Sequence, residues 1–273
     1  TYYHPSNSYI YLYGNMDMEE KLRFIDEKYL SAFEALDVDS SIKEQAAFSQ
    51  VKDLQIEYPI AENEEVEDNT YLSYNMVVGN AMDSTLGVAF DVLDYALLSA
   101  PGAPLKQALL DAGIGKDIYG DYSDGVLQPY FSVIAKGART ARKEEFVSII
   151  RNCLQDIVKN GIDKKAVLSG INYMEFRYRE ADFGQFPKGL MYGLDIMGSW
   201  LYDDENAFSQ VKLLEIYDKL KIAVNEGYFE NLIQKWLLDN THGAILTLVP
   251  KRGLAAQREK ELADRLEAYR SSL

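Results

Sequence analysis

Histidine and cysteine are scarce in this 273-residue chain: there are two histidines, His4 and His242, and one cysteine, Cys153. A helical zinc site built on a histidine pair needs two imidazoles four residues apart, so that both reach one metal. His4 and His242 do not have that spacing, and with a single thiol a mixed cysteine–histidine site is nearly excluded. One cysteine makes no internal disulfide, which is compatible with a reducing compartment such as the cytoplasm. Positive charge is scarce as well. There are 43 acidic residues against 28 lysines and arginines, a formal charge of −15. A field of that sign repels phosphate, so nucleic acid and anionic membrane are poor partners. It suits cationic ligands such as basic peptides, although many soluble proteins share the sign. No apolar run nears the ~18 residues of a membrane-spanning helix. No signal-peptide pattern stands at the start.

What the chain does contain is core-forming material. Apolar residues make up 47% and aromatics 12%, which excludes a disordered chain. The segment Tyr9–Tyr13 reads as a dense apolar strand. Asp17 then caps a helix with Glu20 at the third position, and Leu22, Ile25, Tyr29, Phe33 and Leu36 follow on one expected buried face. From Asp53 to Asp68 there are seven acids and no lysine or arginine, which reads as an acidic linker. A second unit begins at Thr70 with a strand to Gly79. Asp83 caps a helix that carries Leu86, Phe90, Leu93 and Leu97, and Pro104 opens the next helix, which Gly113 ends. Two strands on either side of Asp124-Gly125 form a hairpin, with Pro129 holding the second to an edge or to a start just after it.

Beyond the hairpin the pattern is mainly helical. Thr140–Asn160 places Phe146, Ile149, Ile150, Cys153, Leu154 and Ile157 inward. Asp163 caps a helix carrying Val167, Ile171, Met174 and Tyr178. The stretch FGQFPKGLMYG reads as an irregular crossing, and Ala207–Val224 and Tyr228–Asp239 read as helices. His242–Pro250 reads as a buried strand ended by its proline. Leu254–Leu273 is a charged helix in need of a partner. Hairpin-linked strands with helices gathered on one face imply an α+β fold with an antiparallel-rich sheet.

No motif assembles an active site. Ser40–Lys43 and Ser49–Lys52 match a Ser-x-x-Lys pattern, but its partner motifs are missing. Asp117–Gly125 is acidic and turn-rich without the ligand offsets of a calcium loop. GIGK, Gly113–Lys116, is too short to cradle phosphate. His4 and His242, each beside a proline or glycine, read as turn residues that hydrogen-bond locally. Cys153 reads as a small buried hydrophobe. The candidate catalytic and metal-binding residues are therefore none, and the residues alone describe a scaffold or binding unit.

The segment YYHPSNSYIYLYGNMDMEEKLRFIDEKYLSAF resembles the pitrilysin/insulinase superfamily of zinc peptidases in its presequence-protease branch. APGAPLKQALLDAGIGKDIYG, LQPYFSVIAKG, GIDKKAVLSGINYMEFRYRE and TLVPKRGLAAQREKELADRLEAYRSSL continue the likeness in order. The resemblance implies a clamshell of two halves enclosing unfolded peptides. It implies zinc held by a His-x-x-Glu-His helix and a later Glu, both upstream of Thr1, so that no zinc or catalytic residue falls within this chain. Residues 1–52 are then the end of a preceding catalytic domain, 53–69 a linker, 70–250 a second α/β domain, and 251–273 the start of a helical connector. The chain is expected to be an inactive, zinc-free wall of the chamber, with the remaining domains of the parent chain and peptide substrates as its partners. Zinc is expected in the full-length protein. A zinc-free assembly subunit of the same superfamily and a free-standing peptide-binding module are the alternatives.

Overall fold

The structure is a computed structural model that describes residues 2–273. Its framework is one five-stranded sheet. The strands are β1 Lys52–Ile60, β2 Thr70–Val77, β3 Asp117–Ser123, β4 Tyr130–Ala138 and β5 Gly243–Arg252, in the spatial order β1-β5-β2-β4-β3. β2 pairs antiparallel with β4 and β5, and β3 pairs antiparallel with β4, whereas β1 runs parallel to β5. The helices are α1 Met18–Lys28, α2 Ser84–Asp94, α3 Pro104–Asp111, α4 Lys143–Asn160, α5 Lys164–Glu180, α6 Lys188–Trp200, α7 Leu214–Ala223, α8 Tyr228–Leu232 and α9 Leu254–Ser272. The fold is α+β, with an antiparallel-rich sheet and its helices gathered on one side.

Alternation along the strands decides the two faces. Leu72, Tyr74 and Met76 of β2, Phe131, Val133 and Ala135 of β4, and Ile118 of β3 are buried toward the helices. They meet Leu86, Phe90, Leu93 and Leu97, the helical stripe read from the sequence, which is buried throughout. Asp83 caps α2 by accepting from the Leu86 amide at 3.0 Å, and Asp163 caps α5 in the same way. By length and composition Ser84–Asp111 is apolar enough to cross a membrane, unlike the short apolar runs expected. Its apolar side chains are core side chains, however, and Ala100–Ala103 break it into two helices.

Several expectations are corrected. Lys52–Ile60 is not linker but edge strand β1: Leu54, Ile56, Tyr58 and Ile60 alternate, and the backbone pairs with β5. Tyr9–Tyr13 is extended but pairs with no strand. It lies instead on α6, which begins where an irregular crossing was expected. Tyr9 meets Trp200 edge-on at 4.7 Å, and Tyr11 and Tyr13 sit over Gly193 and Gly189. A Cβ on Gly189 would come 2.3 Å from the Tyr13 ring, so only glycine at this spot lets the segment lie flat on the helix. The α1 face is not buried: Leu22, Tyr29, Phe33 and Leu36 are all exposed. Finally, Pro250 does not end β5, which runs to Arg252. β2 has already ended at the pair Tyr71–Leu248, so Pro250 faces only β1 and its missing amide interrupts no ladder on the β2 side. Of the helix expected over Ala207–Val224, only Leu214–Ala223 is α-helical, after two short turns.

Residues 2–48 thus form a strap over the domain. Gln45 and Gln128 exchange two hydrogen bonds, 2.7 and 3.1 Å, and Thr241 donates to the Phe48 carbonyl at 2.7 Å. On the far side, Glu175 ties α5 to α7. It is 8% exposed and accepts from Arg179 at 2.6 and 2.9 Å and from Lys221. These cations hold its carboxyl below the usual range.

Two consequences are measurable. Gly189→Ala should release Tyr13 while leaving the core folded, so that limited proteolysis cuts residues 2–48 faster with near-UV circular dichroism unchanged. Equal cleavage rates would refute the glycine notch. Glu175→Gln leaves two half-exposed cations without a charge partner. We expect a loss of about 1–2 kcal/mol at pH 7 in denaturant titration. Because the native carboxyl pKa is lowered, this stabilisation is present above the unfolded value and fades as pH falls through the native one. The gap between wild type and variant should therefore close in strong acid.

Candidate functional site

Two surfaces stand out. The first is the face of the sheet opposite the helices. Tyr71, Ser73 and Asn75 of β2 share it with Ser132 and Ile134 of β4, Leu246 and Leu248 of β5, and Leu54 and Ile56 of β1. Asn75 organises its centre. Its Oδ1 accepts from Ser73 and Ser132, both at 2.7 Å, and its amide nitrogen donates to the Ala244 carbonyl at 3.1 Å. Around this polar patch the surface is apolar and open: Leu54 is 46% and Ile56 49% exposed. β1 also leaves one side of its backbone unpaired at the sheet edge.

The second surface is a cleft of about 1380 Å³ on the helical side. Its walls come from the strap, from α2, from the turn between β3 and β4, and from α5, α6 and α7. Tyr11, Tyr13, Tyr122, Tyr192, Trp200 and Tyr217 supply aromatic surface. Three carboxylates reach it from three elements: Asp91 of α2, Asp124 of the turn and Asp195 of α6. None has a side-chain hydrogen bond or ion pair among the described residues. Asp91 is part-buried in the cleft wall. Burial pushes its carboxyl up to about 8, helped by the charges of Asp124 and Asp94. Burial and then Asp124 raise Asp195 as well. Tyr122 is raised by burial and by Asp91, Asp124 and Asp83.

Asp94 lies one helical turn beyond Asp91, behind the cleft wall. Its Oδ1 is buried without a partner, and its Oδ2 accepts only a long 3.4 Å bond from Ser99. Burial raises its carboxyl to about 6, against the Ser99 bond and with help from Asp121. A raised native carboxyl stabilises the fold only while protonated, so stability is lost as pH rises from about 4 through about 6. Asp94→Asn should therefore raise the melting temperature by about 4 °C or more at pH 8. Near pH 4 the gain should shrink toward zero, and a gain independent of pH would contradict the assignment.

The residues singled out from the sequence are scattered. His4 caps a turn by accepting from the Ser6 amide at 3.1 Å and packs against Phe33. His242 is buried at the head of β5 with its ring 4.8 Å from Phe48. Cys153 is partly buried in α4, and burial raises its thiol. Ser40 donates to Asn7 at 2.5 Å, and Lys52 lies over the Phe48 ring, so neither Ser-x-x-Lys stretch forms a nucleophile–base pair. No group of three or more His, Cys, Asp or Glu side chains is placed to hold a metal ion among the described residues. A zinc ion does not fit the residues present. Sequence reasoning missed the cleft, because its acids are separated by 33 and 71 positions and carry no shared motif.

Comparison with known proteins agrees with this architecture. The chain is 44% identical over 271 residues to Protein HypA of Clostridium perfringens, covering 99% of this chain and 28% of that protein. It is 32% identical over 280 residues to presequence protease 1, chloroplastic/mitochondrial, of Arabidopsis thaliana, covering all of this chain and 26% of that protein. It thus spans only about a quarter of the length of these relatives. Among solved structures, the peptidase M16 inactive domain from Pseudomonas fluorescens superposes with a TM-score of 0.56 at 15% identity, over 85% of this chain and 51% of that one. The ferredoxin protease FusC, solved with Arabidopsis ferredoxin, superposes with a TM-score of 0.59 at 14% identity, over 87% of this chain and 24% of that one. At those identities the structures speak for the fold alone. The family described as peptidase M16 inactive domain matches residues 1–173, and with that match over most of its length this chain belongs to that family.

Proposed function

We propose that this chain is the non-catalytic part of a longer zinc metallopeptidase that degrades unfolded peptides, and that it forms part of the chamber wall. The observation that carries the reading is the one-sided sheet. A face with exposed Leu54 and Ile56 around a hydroxyl-and-amide centre offers an extended peptide both apolar contact and hydrogen bonds, without demanding a sequence. Membership of an inactive-domain family and similarity to presequence proteases support it. Zinc would be held by other domains of the parent protein, since the residues of this chain do not fit it. In this arrangement the chain contributes by enclosing the substrate and limiting its orientations, not by bond chemistry.

The division into parts follows the same reading. Residues 1–52 close the preceding catalytic domain, residues 70–250 are the body of the second domain, and residues 251–273 begin a connector to the other half. The strand β1 joins the second domain, because its backbone is paired into that sheet. α9 fits a connector: past Leu254 none of its side chains is buried, and Leu262, Leu266 and Tyr269 form an exposed stripe.

The purified 273-residue chain should carry far less than one zinc per molecule and cleave no unfolded peptide. Stoichiometric zinc together with chelator-sensitive cleavage by this chain alone would overturn the proposal. In the full-length parent, Ile56→Asp should weaken peptide turnover mainly through KM, with zinc content unchanged. An unaltered KM would remove the sheet face from the chamber.

A further inference from the structure

β1 borders the sheet, and α9 is the helix that packs against it. We propose that α9 is a movable cap on the outer edge of β1. Docked, it closes the edge through Arg258; swung away about Gly253, it opens the edge to an added strand.

Backbone geometry says which groups the cap covers. Successive residues of a strand turn their N–H and C=O to opposite sides. Leu54, Ile56 and Tyr58 point theirs at β5, and Asp53, Gln55, Glu57 and Pro59 point theirs outward. Two observations fix that choice. Pro59 has no N–H to give, so it leaves the ladder to β5 intact only in the outward row. The Glu57 carbonyl accepts from Arg258 Nη2 of α9 at 3.2 Å, which places it in the same row. The second half of the edge is therefore blunted twice over, by a missing donor at Pro59 and an occupied acceptor at Glu57. Asp53 and Gln55 keep both backbone groups for a partner. Exposed Leu54 and Ile56 stand beside them, placed to meet alternate side chains of an added strand.

The cap is held lightly. Past Leu254 no residue of α9 is buried. Leu254, Arg258, Leu262 and Leu266 recur every four residues, so one helical face begins in the core, crosses the β1 edge and runs on into solvent. The chain just before the helix is anchored separately. Lys251 pairs with the Glu57 side chain at 2.7 Å, and Arg252 donates twice to the Glu64 carbonyl, at 3.0 and 2.5 Å. Between this anchor and the helix stands Gly253 at φ +72°, in the left-handed region that favours glycine. Rotation there carries α9 away and leaves β5 in place. With Leu254 at the pivot, the Arg258 bond holds the arm down, and an exposed charge-assisted contact of that kind is modest.

The test uses the full 273-residue chain and a blocked, fluorescently labelled octapeptide of alternating valine and threonine as a strand probe. Anisotropy measures its affinity, and hydrogen exchange locates it. We expect weak binding by wild type and at least threefold tighter binding by Arg258→Ala, with Arg258→Lys in between. Gly253→Val should act in the same direction, because a β-branched side chain does not tolerate this φ. Bound peptide should slow exchange over residues 53–57 and not over 117–123. N-methylation along one side of the peptide should cost at least tenfold, and along the other side much less. Arg258 and Gly253 are both exposed, so the variants should keep the wild-type near-UV spectrum. If Gly253→Val does not fold, Gly253→Ala gives the same test. The proposal is wrong if no form binds the probe, if Arg258→Ala binds no tighter, if both N-methylated peptides bind like the parent, or if protection falls on β3. An unchanged affinity in the folded Gly253 variant overturns the pivot. No arm measures zinc or cleavage, so the chamber-wall reading stands or falls separately.

Discussion

The packing of α2 on the sheet is the contact on which the rest of the molecule depends. Phe90 is fully buried, stacked on Tyr122 at 5.7 Å and edge-on to Phe131 at 6.0 Å. It joins β3 and β4 to the helical layer, and burying such a side chain contributes about 1.5–3 kcal/mol before the aromatic geometry is counted. With the Phe90 face turned inward, helical spacing fixes what the neighbouring positions must do. Asp91 follows and turns toward the cleft, and Asp94 is carried behind it beside β3. The acids are partly buried because the hydrophobic face beside them is, and their raised carboxyls are the cost of that arrangement.

The same one-sidedness shapes both surfaces. The core helices α2, α3, α4 and α5 collect on the side of the face lined by Leu72, Tyr74, Phe131 and Val133, so the reverse face is left with short polar and aliphatic side chains. A sheet covered on one side keeps backbone and side-chain geometry rigid while leaving a broad plane free. On the helical side, α6 is attached chiefly through the strap and short turns, not through strand contacts. Its outward residues Leu190 and Leu194 are exposed. The cleft forms where this loosely layered helix stands off from α2.

Much of the second unit was legible from the residues. Asp83 and Asp163 read as helix caps because a carboxylate just before an apolar periodic run satisfies free amides, and both do so. Leu86, Phe90, Leu93 and Leu97 read as a stripe because apolar spacing of three and four has one meaning in a helix. β1 was not read, although Leu54, Ile56, Tyr58 and Ile60 alternate, because the surrounding acids and Pro59 mimic a linker. Its acids face solvent or the cations Lys143 and Lys251, as an edge strand permits. The strap was misread for the opposite reason. Tyr9–Tyr13 has the composition of a strand, but strand formation needs a partner edge, and here two glycines of α6 offered side-chain contact instead.

By itself, then, the sequence determined the fold class, the caps and the helical core stripe, because each of these depends on residues close together in the chain. Only the tertiary structure decided that the acidic stretch joins the sheet, that the opening tyrosines lie on α6, and that Asp91, Asp124 and Asp195 share one cleft. Those outcomes depend on which distant surfaces meet. A carboxylate 33 or 71 residues from its neighbour leaves no periodic trace, and its burial is set by the packing of apolar side chains around it.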